Sequence, residues 1–273
     1  MSARIAARFA ALEAENRAGL IAYVMASDPD AETALAILKA LPAAGADLIE
    51  VGFPFSDPMA EGPAIQKASE RALKAGGSLR ATLALIARFR ETDATTPIIL
   101  MGYANPVEQM GAAAFAEAAR AAGADGAIIV DLPPEEDVHI RQALGGHGLS
   151  LIRLATPTTD DARLPVVLEG VTGFLYHVSV TGVTGDRAIG VDAAGAAVAR
   201  LKRATTLPVA VGFGVRDTAA AAAMARVADA VVVGSAFVDA IAQAAGTGQP
   251  VVPAVTAKVQ ELSTAVRGAR KLG

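Results

Sequence analysis

The sequence predicts an α/β fold, a single-domain (β/α)8 TIM barrel spanning residues 1–273, and three observations carry that prediction. Eight short apolar runs recur along the 273 residues, each bounded by Gly, Pro or Asp. Alanine-rich segments with helical spacing separate them, and such barrels usually need ~250 residues. The third observation is an internal echo: "AGADLIEV", "AGADGAIIV" and "VADAVVV" each bring a helix end into a strand.

In chain order, the runs are "LIAYVM" (20–25), "ADLIEVGF" (46–53), "PIILMGY" (97–103) and "GAIIVD" (126–131). They continue as "LSLIRL" (149–154), "GFLYHVS" (173–179), "PVAVGFG" (208–214) and "ADAVVVGS" (228–235). Runs this short do not separate strand from helix by periodicity. Their flanks, and their alternation with longer patterns such as "AETALAILKALPAAG" and "SLRATLALIARFRET", favour parallel strands, and eight βα units in a chain of this size favour a barrel over a doubly wound open sheet. The N-terminal "MSARIAARFAALEAENRAG" reads as a short amphipathic helix without the apolar centre of a signal peptide. Two connections exceed the usual 2–6 residues of a βα loop. One follows the second strand, "EVGFPFSDPMAEGPAIQ" (50–66), and the other follows the sixth, "SVTGVTGDRAIGVDA" (179–193). Both leave carboxyl ends of strands, where this fold keeps its chemistry.

Composition narrows the function. Lys and Arg total 24 against 28 Asp and Glu, a net charge of −4 with no basic block, which argues against nucleic acid or an anionic membrane surface as partner. The absence of cysteine excludes disulfides, thiolate metal sites and a cysteine nucleophile. No apolar run approaches the ~18 residues of a membrane span, so a cytoplasmic protein is expected.

Alternation along the second strand turns Glu50 inward together with Leu48 and Gly52. An acid in partly dry surroundings has a raised pKa suited to proton transfer. The competing reading is a structural acid held by an internal cation, for which Arg153 is the obvious candidate. Glu61 and Asp57, taken alone, read as a solvated loop acid and a turn former. "GFGV" (212–215) and "VGSA" (233–236) end the seventh and eighth strands and lead into helices, a backbone setting that binds phosphate. The three histidines lack metal-ligand spacing, and of the adjacent pair Tyr176 is expected inside and His177 structural. Lys39, Lys67, Lys74, Lys202, Lys258 and Lys271 fall in helices or loops, which removes a strand-end Schiff-base lysine. Carboxylate acid–base chemistry on a phosphorylated small molecule remains.

With "EVGFPFSDPMAEGPAIQ", "MGYANP", "DLPPEE", "SVTGVTG", "GFGV" and "VGSA" in order, the chain resembles the alpha subunits of tryptophan synthase from end to end. The resemblance implies retro-aldol cleavage of indole-3-glycerol phosphate to indole and glyceraldehyde 3-phosphate. It implies no cofactor in this chain, and a beta subunit that carries pyridoxal phosphate and receives the indole in an alpha2beta2 heterotetramer. It assigns Glu50 as the general acid/base and Glu61 as the acid that holds the indole N1–H. Tyr176 lines the substrate site, Thr184 is the lid threonine, and Gly185, Gly214, Gly234 and Ser235 form the phosphate cradle. Pro54, Phe55, Asp57, Pro58 and Asn105 face the beta subunit. One departure stands out: the family's second acid is most familiar as Asp in "ADGP", whereas this chain has Glu61 in "AEGP". Two other readings stand beside this one: a different phosphosugar-handling barrel, and an impaired subunit that serves to activate its beta partner.

Overall fold

The computed structural model describes residues 2–178, 191–212 and 214–270. All strand pairings in it are parallel. The strands are β1 (Gly19–Met25), β2 (Leu48–Gly52), β3 (Ile98–Gly102), β4 (Gly126–Ile129), β5 (Ser150–Leu151), β6 (Leu154–Ala155), β7 (Leu175–Val178), β8 (Val209–Gly212) and β9 (Ala230–Val233). Their order in the sheet is β5-β4-β3-β2-β1-β9-β8-β7-β6.

Eight runs were expected and all eight contain strand, but the fifth is divided. Its first half pairs with β4 and its second with β7, so the segment 150–155 joins the two edges of the sheet. Backbone bonds continue across the division: Ile152 N–H donates to the Ala127 carbonyl at 3.0 Å, and Tyr176 N–H to the Arg153 carbonyl at 3.1 Å. The sheet is thereby closed into a barrel. Arg153 lies on the outward parity, and its guanidinium donates to Asp137 at 2.7 Å and to the carbonyls of Val166, Val167 and Glu169. It therefore does not reach Glu50, and the competing reading of that acid as a structural one loses its candidate cation.

The helices begin and end where local chemistry directs. Ala31–Ala44 starts at Asp30, whose carboxylate accepts from Thr33 N–H at 2.8 Å, and stops at Gly45, where φ is 107°. Leu79–Arg90 starts at Ser78, which accepts from Ala81 N–H. Two apolar layers result. Residues such as Leu38, Val51, Phe89 and Ile241 fill the space between sheet and helices. Ile21, Leu48, Ile99, Ile128, Ile152 and Val232 belong to the inner layer, as a packed barrel requires. The helix Ala3–Ala14 adds Ile5, Phe9 and Leu12 to that layer, with the Phe9 ring 5.7 Å from Phe174.

The echo in the sequence has a structural cause. Each of its aspartates precedes a strand and accepts a backbone N–H from the first or second residue of the preceding one. Asp47 takes Leu20 N–H (2.9 Å), Asp125 takes Ile98 N–H (2.9 Å) and Asp229 takes Val209 N–H (2.8 Å). These bonds lie at the amino-terminal ends of the strands, away from the expected site.

Candidate active site

Glu50 stands at the centre of β2 with its side chain inside the barrel. The β1–β2 register sets it beside Tyr23, and β3 sets it beside Ile99. It is 0% exposed, and among the described residues neither carboxylate oxygen has a hydrogen-bond partner. Burial pushes its pKa up to about 8, and the nearby Glu61 carboxylate adds to the shift. An unpaired buried carboxyl is costly to ionise, so near neutral pH it is held mainly as the acid.

Glu61 is not a solvated loop acid. It is 8% exposed, and burial pushes its pKa up to about 7. The connection that carries it folds back over the mouth because several side chains tie it down. Ser69, on the helix Pro63–Lys74, both accepts from Phe55 N–H (3.0 Å) and donates to the Phe55 carbonyl (2.7 Å). The Gln66 amide donates to the Glu61 carbonyl at 2.9 Å. Tyr103 accepts Ala60 N–H at 3.1 Å, and its ring stacks on Phe55 with 5.6 Å between centroids. Pro63 opens the helix at a position that needs no N–H.

Tyr176 faces inward, and burial raises its pKa, with Glu50 and Glu61 adding to the shift. His177 points the other way: its Nδ1 lies 3.1 Å from the Ala155 carbonyl and burial lowers its pKa, so it is a structural histidine. Two tyrosines that the sequence reading did not single out join the site. Tyr23 is buried, with its pKa raised by desolvation and by Glu61 and Glu50; Tyr103 is raised by desolvation and Glu61. A signal was available. The chain has three tyrosines, and each lies on the inward parity of its strand, Tyr23 and Tyr176 within β1 and β7 and Tyr103 just past the carboxyl end of β3. Glycines on neighbouring strands make room for two of them. A Cβ at Gly52 would stand 2.3 Å from the Tyr23 hydroxyl, and one at Gly212 would stand 2.2 Å from that of Tyr176.

Beyond β8 and β9, which run side by side, lie the glycines of the expected anion site. Gly214 has φ 81°, a left-handed conformation that suits glycine. Gly234 precedes the helix Ser235–Thr247, and its carbonyl accepts the N–H groups of Phe237 and Val238. The N–H groups of Ser235 and Ala236 therefore have no acceptor within the helix, the usual basis of an anion site. Thr184 and Gly185 lie outside the described residues.

The expected partner face is uneven. Asp57 and Asn105 are exposed, Phe55 and Pro58 are half-buried, and Pro54 is buried beneath Gly77. Pro54 therefore packs within its own chain. Met59, not singled out in the sequence, is 75% exposed beside them.

Comparison with known proteins gives one answer at every level. A family model described as tryptophan synthase alpha chain matches residues 9–267. A tryptophan synthase alpha chain of Caulobacter sp. (strain K31) is 61% identical over 267 residues, covering 98% of this chain and 97% of its own length. That of Phenylobacterium zucineum (strain HLK1) is 58% identical over 269 residues, with 98% and 97% covered. Among solved structures, the tryptophan synthase subunit alpha of Legionella pneumophila str. Paris aligns with a TM-score of 0.91 at 39% identity, covering 97% of this chain and 98% of that one. A Mycobacterium tuberculosis tryptophan synthase in space group F222 aligns at 0.88, also at 39% identity, covering 98% and 99%.

Proposed function

Because the chain belongs to the tryptophan synthase alpha chain family, which cleaves indole-3-glycerol phosphate to indole and glyceraldehyde 3-phosphate, we propose that Glu50 and Glu61 divide the proton work of that cleavage. The observation that carries this reading is the Glu50 carboxyl, fully buried inside the barrel with neither oxygen partnered among the described residues. With its pKa near 8, Glu50 begins as the acid and gives its proton to indole C3. Positive charge then develops at N1, whose N–H hydrogen-bonds to the Glu61 carboxylate. The Glu50 carboxylate next removes the proton of the glycerol hydroxyl adjacent to the ring. The carbon–carbon bond breaks, its electron pair restores the aromatic ring, and the hydroxyl carbon becomes the aldehyde. Glu50 ends protonated, as it began, so the cycle needs no outside proton.

Glu61 suits this role because Tyr103, Gln66 and Ser69 tie its loop down while the carboxyl remains buried. We assign the phosphate to Gly214, Gly234 and Ser235, with Thr184 and Gly185 of the long second connection completing the site. Tyr176 and Tyr23 form its apolar wall. The reaction requires no cofactor in this chain, and pyridoxal phosphate resides in the beta subunit with which the family works. We assign the beta-facing surface to Phe55, Asp57, Pro58 and Asn105, extended by Met59, in an alpha2beta2 assembly of cytoplasmic location. No helix among the described residues is long and apolar enough to cross a membrane. We treat the whole of residues 1–273 as one catalytic barrel.

The test is indole release from indole-3-glycerol phosphate by Glu50→Gln and Glu61→Gln, each with beta subunit present. Both variants keep the shape and lose the titrating proton, and both are expected to be nearly inactive. Turnover close to that of the unmodified chain in either would remove that residue from the mechanism.

A further inference from the structure

We infer that Tyr103 is a positioning residue for Glu61: its hydroxyl accepts the Ala60 N–H and presents its own proton to the Glu61 carboxylate as that group takes up the indole N–H. The inference rests on the role proposed for Glu61. A phenol that accepts one hydrogen bond still has a proton to donate. Ala60 N–H reaches the Tyr103 hydroxyl at 3.1 Å, and among the described residues no group accepts the hydroxyl proton in return. Tyr103 is 3% exposed, so water does not readily take that place. Its ring is held from the other side by Phe55, stacked at 5.6 Å and 30°, so the hydroxyl is fixed in direction. Ala60 immediately precedes Glu61, and one hydroxyl therefore controls both the backbone that carries the acid and the environment of its carboxylate.

The acids and phenols facing Glu61 are Glu50 and Tyr23 from neighbouring strands, Tyr176 from across the barrel and Tyr103 itself. Asp131, whose carboxylate accepts Ala104 N–H, also acts electrostatically on Tyr103. Among the described residues no cation pairs with Glu61. A neutral donor is thus what remains to favour its ionised form.

Tyr103→Phe keeps the ring and the Phe55 stack and removes only the hydroxyl. Assayed with beta subunit, it is expected to lower kcat about 10-fold or more, as loss of a single preorganised donor does. KM is expected to stay within about twofold, and the acid limb of the kcat profile to move to higher pH, because Glu61 loses the group that favours its carboxylate. An unchanged kcat overturns the inference. A raised KM at constant kcat, or an acid limb that stays in place, overturns it equally, since either would mean that the hydroxyl contacts bound substrate or merely supports the fold. Glu61→Gln, run in parallel, separates the two levels. If that variant turns over normally, the role of Glu61 itself fails; if it is inactive while Tyr103→Phe is normal, only the positioning role fails.

Discussion

At the amino-terminal mouth of the barrel, Asp47 and Asp125 are each 1% exposed and surrounded by donors; toward the carboxyl-terminal mouth, Glu50 is 0% exposed and has none among the described residues. Asp47 receives both terminal nitrogens of Arg17, at 2.9 and 2.8 Å, as well as Leu20 N–H. Asp125 receives Ser2, Arg4, Arg90 and Ile98 N–H. Burial is the same in kind at both mouths, so burial alone does not make an acid catalytic. The difference is whether the fold supplies the charge with partners. Where it does, the acid joins strands together. Where it withholds them, the proton stays on the acid and is available to substrate.

The sharpest way to break this contrast is to remove one acid from each end of the barrel. Glu50→Gln should reduce indole formation by about 10²–10⁴-fold while the protein remains folded. Asp125→Ala should do the reverse. It leaves Arg90 and Arg4 without a buried partner, and the expected loss is about 3 kcal/mol of folding stability, seen in denaturant melts, with kcat little changed. A catalytically dead Asp125 variant of normal stability would dissolve the distinction.

A second comparison uses pH. The folded-state pKa values of Glu50 and Glu61, about 8 and about 7, lie above their ordinary value of 4.5. The unfolded chain releases these protons first, so the stability they contribute is full below pH 4.5 and is lost as pH rises through 7 and 8. Glu50→Gln should therefore flatten the decline, so that its stability relative to the parent rises between pH 5 and pH 9, read from denaturant midpoints across pH. A difference that stays constant over that range would show that Glu50 ionises without penalty. The same pair should give kcat/KM a bell-shaped profile. Its acid limb follows ionisation near 7 and its alkaline limb follows loss of a proton near 8, both belonging to the coupled pair.

The smallest expected effect lies at Gly234. A Cβ there would sit 3.2 Å from the Tyr23 ring, closer than ordinary contact. Gly234→Ala should raise KM by roughly 3- to 10-fold, about 1 kcal/mol, with kcat retained. Gly234→Val should do more, through the tyrosine as well as through the phosphate. Substrate binding unchanged in both would remove this corner from the cradle.

Much of this was legible in the sequence because it depends on local periodicity. The strand runs, the inward turn of Glu50 and the opposite parities of Tyr176 and His177 follow from alternation along a strand. What was not legible depends on distant partners. Nothing near residue 153 announces that its side chain will turn outward to Asp137 and three carbonyls while the strand divides around it. Glu61 looks solvated until Tyr103, far along the chain, draws its loop over the mouth. The burial of Pro54 likewise follows from the turn at Gly77, which comes back to cover it. Tyr23 and Tyr103 were within reach of the same alternation argument that found Glu50, had it been applied to the rarest aromatic positions.

The aspartates that begin strands also divide the chain into modules. Asp47 ties β2 to β1, Asp125 ties β4 to β3 and Asp229 ties β9 to β8, and none of these ties joins β2 to β3. The exposed turn at Gly76 lies between those two strands, in open space. A polypeptide severed there would keep each of these three ties intact within one fragment or the other. Reassembly would rest on the β2–β3 and β1–β9 pairings and on the last helix, where Ser263 donates to the Gly45 carbonyl across the break. The barrel is thus suited to fragment complementation at that turn, with Glu50 and Glu61 inherited together by the smaller piece.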